Sequence, residues 1–479
     1  MSVKLGMGPV SAAELAAMIG CTPVCYGCDT SIRISGVSTD SRKTESGDLY
    51  VAIKGERFDG ADFSASAVLA GAVCVLSDRL PAQAEDLGHP FVFLRCDDPQ
   101  RALGDLAYAY RTKRPLRIVA VTGSVGKTTT KEMIASVLSR RFRVGKTEGN
   151  LNTDIGLSLT MLGFGPETEV GVLEMGMSNF GEIERLSMIA RPDFGVITNI
   201  GTSHIEFLGS REGIAKAKSE ITAGMKDDGV LVLCGDEPLL RQLAGKKNTV
   251  FVSVYTENGE YRADHIRYEN GRTYFDLVCG ERTLCDLMIP ELGIHHVYAA
   301  LFAAAIGHRF GISDDELREG LACFRNAAMR QSIYEISGVT VIDASYNASP
   351  ESMRASLSVL CELAREKNAR KFALLGDMRE LGSETRTEHE KLGREVAKLG
   401  LDGLVTFGIA AVCTAESAKQ NGMPSDRVIS EINLSTPDSC AEKLLGLLQR
   451  GDVLLVKASR AVAAEKIIGY LKEHGDQIS

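Results

Sequence analysis

The chain lacks any apolar run of the ~18–20 residues that a membrane-spanning helix needs, and no basic-then-apolar leader precedes "MSVKLGMGPVSAAELAAMIG". These absences argue against a membrane span and a secreted protein, and place the expected site of action in the cytoplasm. There is no excess of positive charge: the formal net charge is −9 and the pI is near 5.6. Such a balance gives no basic field for a long nucleic acid, though it leaves room for a local basic pocket that holds a small anion. The twelve cysteines follow no repeated spacing, so no disulfide framework is implied and most read as reduced, buried small hydrophobes. Cys21, Cys25 and Cys28 in "CTPVCYGC" contain a C-x-x-C, but no second ligand pair follows at zinc spacing and no thioredoxin-like context surrounds it. No G-x-G-x-x-G occurs, so a dinucleotide is not indicated.

What is present is an ordinary globular composition, 44% hydrophobic and 24% charged over 479 residues, too long for one core at ~100–200 residues per domain. The fold class expected is α/β in three domains. A small mixed α/β domain spans 1–112, opened by a capping box at Ser11 and Glu14 and closed at "RTKRPL" (111–116), which reads as a linker. A central parallel-sheet domain of the phosphate-loop ATPase type spans 113–327. Its strands are "LRIVAV", "EVGVLEMG", "FGVITNIG" and "GVLVLCGD". Its helices are "KTTTKEMIASVLSRR", "GIAKAKSEITAGM" and the alanine-rich "IHHVYAALFAAAIGHRFG". A Rossmann-like α/β domain spans 328–479, where "GVTVIDAS", "KFALLGD", "DGLVTFG" and "GDVLLVKAS" alternate with helical stretches.

The stretch "VTGSVGKTTT" (121–130) follows a strand and opens a helix, the context in which a glycine turn cradles phosphate. The free N–H groups and positive dipole end of the helix favour a β- or γ-phosphate. Lys127 adds a point charge, and the Thr128 hydroxyl suits Mg²⁺. Gly123, Ser124, Val125, Gly126 and Thr129 complete the loop, although Val121 stands where the longer phosphate-loop pattern has its first glycine. An ordinary glycine turn is the competing interpretation. Glu174 ends a buried strand and His204 follows the next, so both sit where ligands of open α/β sheets gather, though either can be structural. Lys216 and Lys218 share a helix with that region, where ammonium groups are repelled by a metal. A neutral lysine that takes up CO₂ as a carbamate reverses the sign, and solvated surface lysines are the plainer alternative.

With those residues in view, the chain resembles the Mur ligases of peptidoglycan synthesis, on "TGSVGKTTTKE", "TEGNLNTDIGLSLTML", "VLEMGMSNFGEIERL", "NIGTSHIEFLGSREGIAKAKSEI", "VIDASYNASPESMRASL", "LGDMRELG" with His389, and "VLLVKASR". The likeness runs in order along nearly the whole chain and is nearest the branch that adds D-alanyl-D-alanine. It includes "STDSRKTESGDLYVAIKGERFDGADF", which looks like that branch's uridine-nucleotide domain. The short T-G-x-x-G-K-T loop is the family's own form. The resemblance implies an ATP- and Mg²⁺-dependent amide ligase that makes an acyl phosphate of UDP-N-acetylmuramoyl-tripeptide and hands it to the amine of D-Ala-D-Ala. It implies that Lys127 and Thr128 hold phosphates and metal, that Glu174 and His204 ligate Mg²⁺, and that Lys218 rather than Lys216 is the carbamylated lysine. Arg330, Tyr346 and Asn347 would contact ATP. Asp40, Ser41, Arg42 and Lys54 would lie near UDP, Asn150 and Asn152 on a substrate-side loop, and Lys457, Ser459 and Arg460 near the incoming dipeptide. A monomer with no nucleic-acid partner is expected. The sequence departs from the family at His296 and Ala299, where asparagines are usual, at Ala344 for an aspartate and at Ala458 for a glycine. Those changes bear on the nucleotide base and the dipeptide. A relative with another acceptor, a binder without turnover, and a plain NTPase using the same loop are the other functions the residues allow.

Overall fold

The computed structural model describes residues 1–245, 248–433 and 437–478. They fall into two compact units. The first comprises Met1–Thr122, Arg141–Gly195 and Glu220–Leu231, and the second Gly123–Arg140, Val196–Ser219 and Val232–Ser479.

In the first unit a six-stranded sheet runs in the order Ser2–Lys4, Gly36–Ser38, Asp48–Val51, Cys74–Ser77, Phe91–Arg95, Pro23–Tyr26. Its four inner strands are parallel and both edge strands antiparallel. The inner strands are apolar and buried, as strands covered on both faces must be. Gly36 is needed in its strand because a Cβ there would fall 2.3 Å from the buried Asp48 carboxylate, which accepts the Glu45 N–H at 2.9 Å. The capping box at Ser11 and Glu14 opens the helix Ala12–Ile19. The segment expected as a linker is pinned: Arg111 is buried and pairs with Asp193 at 3.4 Å, while the Arg114 guanidinium donates to the carbonyls of Phe164, Gly165 and Thr168. Beside it the strands Val144–Lys146, Val170–Glu174 and Arg117–Thr122 pair in parallel.

In the second unit the alanine-rich stretch forms the helix Ile294–Phe310. Small residues let helices approach here: a Cβ on Gly307 would lie 3.1 Å from a Val137 methyl, and one on Gly320 only 2.6 Å from the Val137 Cα. Three antiparallel strands, Tyr261–Glu269, Arg272–Cys279 and Arg282–Ile289, form a meander that the sequence pattern does not announce. The last sheet runs Ser332–Ile336, Val339–Asp343, Val453–Lys457, Lys371–Gly376, Gly403–Phe407, Val428–Glu431. Its first pair is an antiparallel hairpin and the rest are parallel, with apolar clusters on both faces.

One helix is shorter than expected. "GIAKAKSEITAGM" gives an α-helix only over Arg211–Ser219, followed by a 3₁₀ turn at Glu220–Thr222. Glu220 is drawn to a different task, its carboxylate accepting the N–H groups of Gly181 and Glu184 at the start of the helix Glu182–Ala190. Free N–H groups at a helix start favour such an anion. Among the described residues, no helix is long and apolar enough to cross a membrane.

Candidate active site

The glycine loop is a braced object. Val121 belongs to the strand Arg117–Thr122 and is fully buried, so the turn begins only at Gly123, which explains the missing first glycine. Gly123 has φ +149° and a Cβ there would sit 1.8 Å from Thr198 Oγ1, while Gly126 caps the helix Lys127–Leu138 at φ +81°. Both positions call for glycine. Asn199 grips the crest of the loop with its side chain, accepting from the Val125 N–H and donating to the Val125 carbonyl, each at 3.0 Å. Thr198 Oγ1 donates to that same carbonyl at 2.6 Å, and Ser124 Oγ accepts the Gly201 N–H at 2.9 Å. The helical ladder starts with the Thr130 N–H on Gly126 O, so the N–H groups of the three residues before it face out of the helix end. Thr128 and Thr129 are buried beneath the loop. Lys127 arches back, its ammonium donating to Gly123 O at 2.8 Å and Ser124 O at 3.4 Å.

The segment that grips the loop continues into His204, a non-glycine residue at φ +65°. Its Nδ1 lies 2.6 Å from a carboxylate oxygen of Glu380, and this contact holds the Glu380 carboxyl below the usual carboxylate range. Glu351, in the first turn of the helix Pro350–Lys367, accepts from both the N–H and the hydroxyl of Thr202.

On the helix Arg211–Ser219, Lys218 is 2% exposed. Burial first, and the neighbouring charge of Lys127 second, pull its pKa well below the ordinary value. Among the described residues no carboxylate lies within ion-pair distance of it, whereas Lys216, in the same last turn of the helix, is exposed. The structure thus separates the two lysines by burial.

A further group gathers around the sheet end near Lys457. The Arg330 guanidinium lies over the Tyr346 ring at 4.1 Å, and the Lys457 ammonium donates to the Asn347 carbonyl at 3.0 Å. Burial, with help from the charge of Arg330, brings the Lys457 pKa down to about 7. Ser459 is buried and its hydroxyl accepts the Arg379 N–H at 3.1 Å, a backbone-holding task. Arg460 is exposed and pairs with Glu465 at 3.3 Å. The four departures from the family pattern are all buried. The Ala458 methyl fills the space that a side chain on Gly376 would take, 2.5 Å from that position. His296 Nδ1–H donates to Leu292 O at 3.0 Å, and its other nitrogen lies 3.4 Å from the Asn326 amide.

In the first unit Glu174 is buried. One of its carboxylate oxygens accepts the Asn152 amide at 3.0 Å, and its N–H donates to Thr147 Oγ1. Asn150 is exposed. Asp40 caps the turn Ser41–Lys43 and binds Arg42 through two bonds of 2.9 Å each, which hold its pKa at about 2. Lys54 is exposed and bridges to Asp59 through the backbone.

Sequence reasoning missed Asn199, Glu351 and Glu380. A faint signal existed, since each lies within a stretch quoted for the family likeness, but nothing in a linear reading pairs Glu380 with His204. His389 proves to be a positioning group: buried, it accepts the Met378 N–H at 3.2 Å and donates to Thr385 O at 2.7 Å, so it shapes the turn that carries Glu380.

His296 carries a pH prediction. Burial brings its pKa down to about 4, below the ordinary 6.5, so between those values the unfolded chain binds more protons and stability rises with pH. The contribution is full above about pH 6.5 and is lost as pH falls towards 4. Melting followed from pH 7 to 4.5 is expected to be shallower in His296→Asn than in the parent, by up to about 1.4 kcal/mol per pH unit. Equal slopes would contradict a neutral buried imidazole.

Comparison with known proteins gives three family matches: the Mur ligase middle domain over residues 121–307, the glutamate ligase domain of Mur ligases over 329–460, and the Mur ligase family catalytic domain over 33–111. The chain is 41% identical to the UDP-N-acetylmuramoyl-tripeptide--D-alanyl-D-alanine ligase of Bacillus subtilis, over 92% of this chain and 93% of the relative. It is 32% identical to the Escherichia coli enzyme of that name, over 93% and 95%. Among solved structures it resembles MurF from Acinetobacter baumannii, with TM-score 0.87 and 31% identity over 98% of this chain and 100% of the other. It also resembles MurF from Thermotoga maritima in complex with ADP, with TM-score 0.81 and 30% identity over 92% and 98%.

Proposed function

The chain belongs to the Mur ligase family, and from that premise we propose that it joins D-alanyl-D-alanine to UDP-N-acetylmuramoyl-tripeptide, driven by cleavage of ATP to ADP, in the cytoplasmic supply of peptidoglycan precursors. The observation that carries this reading is the braced phosphate loop, with Lys127 at its mouth and the buried Lys218 as electrostatic neighbour, in a chain so similar over its length to ligases of that name.

A carboxylate at neutral pH is a poor acyl donor. In the proposed reaction an oxygen of the tripeptide carboxylate attacks the γ-phosphorus, the bond to the bridging oxygen breaks, and ADP leaves. The dipeptide amine then attacks the acyl carbon, expels inorganic phosphate and gives up a proton. Most of the work in such transfers is positioning and charge neutralisation. Lys127 and the N–H groups at the helix start cradle the β- and γ-phosphates. Arg330, Tyr346 and Asn347 serve the nucleotide. Asp40, Ser41, Arg42, Lys54, Asn150 and Asn152 serve the UDP-sugar peptide, and Lys457, Ser459 and Arg460 the side from which the dipeptide enters. Bound Mg²⁺ would neutralise the phosphate charge. Thr128 and a carbamylated Lys218 offer it hard oxygens, with Glu174 and His204 as the further ligands the resemblance implies. Lys218 fits that role because a buried amine with a lowered pKa is neutral enough to take up CO₂. The three spans 1–112, 113–327 and 328–479 are proposed as the functional domains.

Phosphate release measured on the purified chain with ATP, Mg²⁺ and UDP-N-acetylmuramoyl-tripeptide is expected to require D-Ala-D-Ala. Release that ignores the dipeptide would replace the ligase with an NTPase, and no release at all would leave a binder.

A further inference from the structure

We propose that Glu380 is the positioning residue for His204, fixing which imidazole nitrogen is left open toward the metal–nucleotide. The inference rests on the ligase reading above, in which His204 serves the metal, but its geometry stands apart from it. Glu380 is far from His204 in sequence, yet its carboxylate oxygen lies 2.6 Å from His204 Nδ1. The approach is an ion-pair contact whose present angle leaves Nδ1 without a full hydrogen bond. A carboxylate only accepts, so closing this contact, as proposed, places the proton at Nδ1 and leaves the lone pair to Nε2. A second acceptor behind a ligating histidine fixes tautomer and ring orientation in just this way.

An isolated surface ion pair contributes little, and three observations separate this contact from one. Both partners are non-glycine residues in left-handed backbone, His204 at φ +65° and Glu380 at φ +64°. That conformation is unfavourable for a side-chain-bearing residue and persists where the surroundings dictate it. The two turns are also joined through the backbone, the Glu206 N–H meeting Glu380 O at 3.5 Å. And Gly382, at φ +53°, lies flat against Glu206, where an added Cβ would stand 3.2 Å from its side chain. The turn carrying Glu380 is shaped from behind by His389. The same segment as His204 braces the phosphate loop through Asn199 and Gly201. Glu380 is therefore placed to act on the loop region through His204.

The test uses the full-length protein in three forms, unaltered, Glu380→Ala and Glu380→Gln. With ¹⁵N-labelled histidine, the His204 signals are identified by their loss in His204→Asn. The unaltered protein is expected to show Nδ1 protonated and Nε2 bare. Glu380→Ala is expected to show a mixture of both tautomers. In steady-state phosphate release, the Mg²⁺ concentration giving half activity is expected to rise about 10- to 100-fold in Glu380→Ala and less in Glu380→Gln, with KM for the UDP-sugar tripeptide unmoved. An unchanged tautomer together with an unchanged Mg²⁺ requirement overturns the proposal. So does a lowered melting temperature with both of those unaltered, which marks a structural contact. If the unaltered protein shows no dipeptide-dependent release, the ligase reading fails, while the tautomer spectrum still decides the role of Glu380.

Discussion

Lys127→Ala is expected to lower dipeptide-dependent joining by roughly 10²–10³-fold, the loss typical when one preorganised group aimed at developing charge is removed, while the protein melts close to the unaltered form. The two halves of that expectation come from different contacts. The shape of the loop does not depend on the lysine: Asn199, Thr198 and Gly201 hold Val125 and Ser124 by four hydrogen bonds of 2.6–3.0 Å, and glycines meet the two left-handed turns. Removing the ammonium forfeits its bonds to the carbonyls of Gly123 and Ser124, worth about 1.5 kcal/mol or more each for a charged donor, but it also relieves the repulsion between Lys127 and the buried Lys218. The charge proposed to face the phosphates vanishes entirely. Product formation followed by separation of the UDP-pentapeptide, beside a thermal melt, checks both. Undiminished joining by a folded Lys127→Ala protein would remove the basis of the phosphate-loop assignment.

The second large effect belongs to Lys218. A buried ammonium beside another cation is costly, and both influences push the group toward the neutral amine. In the proposed modification that amine attacks CO₂ through nitrogen and releases a proton, leaving a carbamate whose negative charge would face Lys127 favourably. Stripping CO₂ from the protein and buffers is therefore expected to abolish most of the joining activity, and added bicarbonate to restore it. With ¹³C-bicarbonate, a carbonyl signal should appear in the unaltered protein and be missing from Lys218→Met. That variant removes a buried ionisable group at similar volume, so it should melt no lower than the parent while losing about 10- to 100-fold in rate, the cost typical when a group supporting a metal site is removed. Full activity in CO₂-free conditions, with no labelled signal, would return Lys218 to the status of a merely buried lysine.

Local features are legible in the chain itself. The glycine turn, the helix that follows it and the capping box at Ser11 each lie within a few residues of one another, and the interior strands announce themselves as unbroken apolar runs. The meander Tyr261–Ile289 escapes a linear reading, although its strands alternate polar and apolar, because register shifts near Asp264 and between Phe275 and Leu277 break the period-two signal. The helix Arg211–Ser219 stops short of its apolar periodicity because Glu220 is recruited by another helix start, a partner that periodicity does not contain. Val121 looks like a defect of the loop and is the last part of a strand.

Sequence by itself determined the chemistry on offer: a phosphate cradle, a carboxylate, an imidazole and two lysines, in an order that resembles one ligase family. Only the tertiary structure decided which lysine is buried, which far carboxylate faces His204, and that the four unusual residues lie in packed interior. The reason is physical. Backbone turns and helix starts are set by neighbours along the chain, whereas burial and hydrogen-bond partnership depend on which distant segments share one desolvated space.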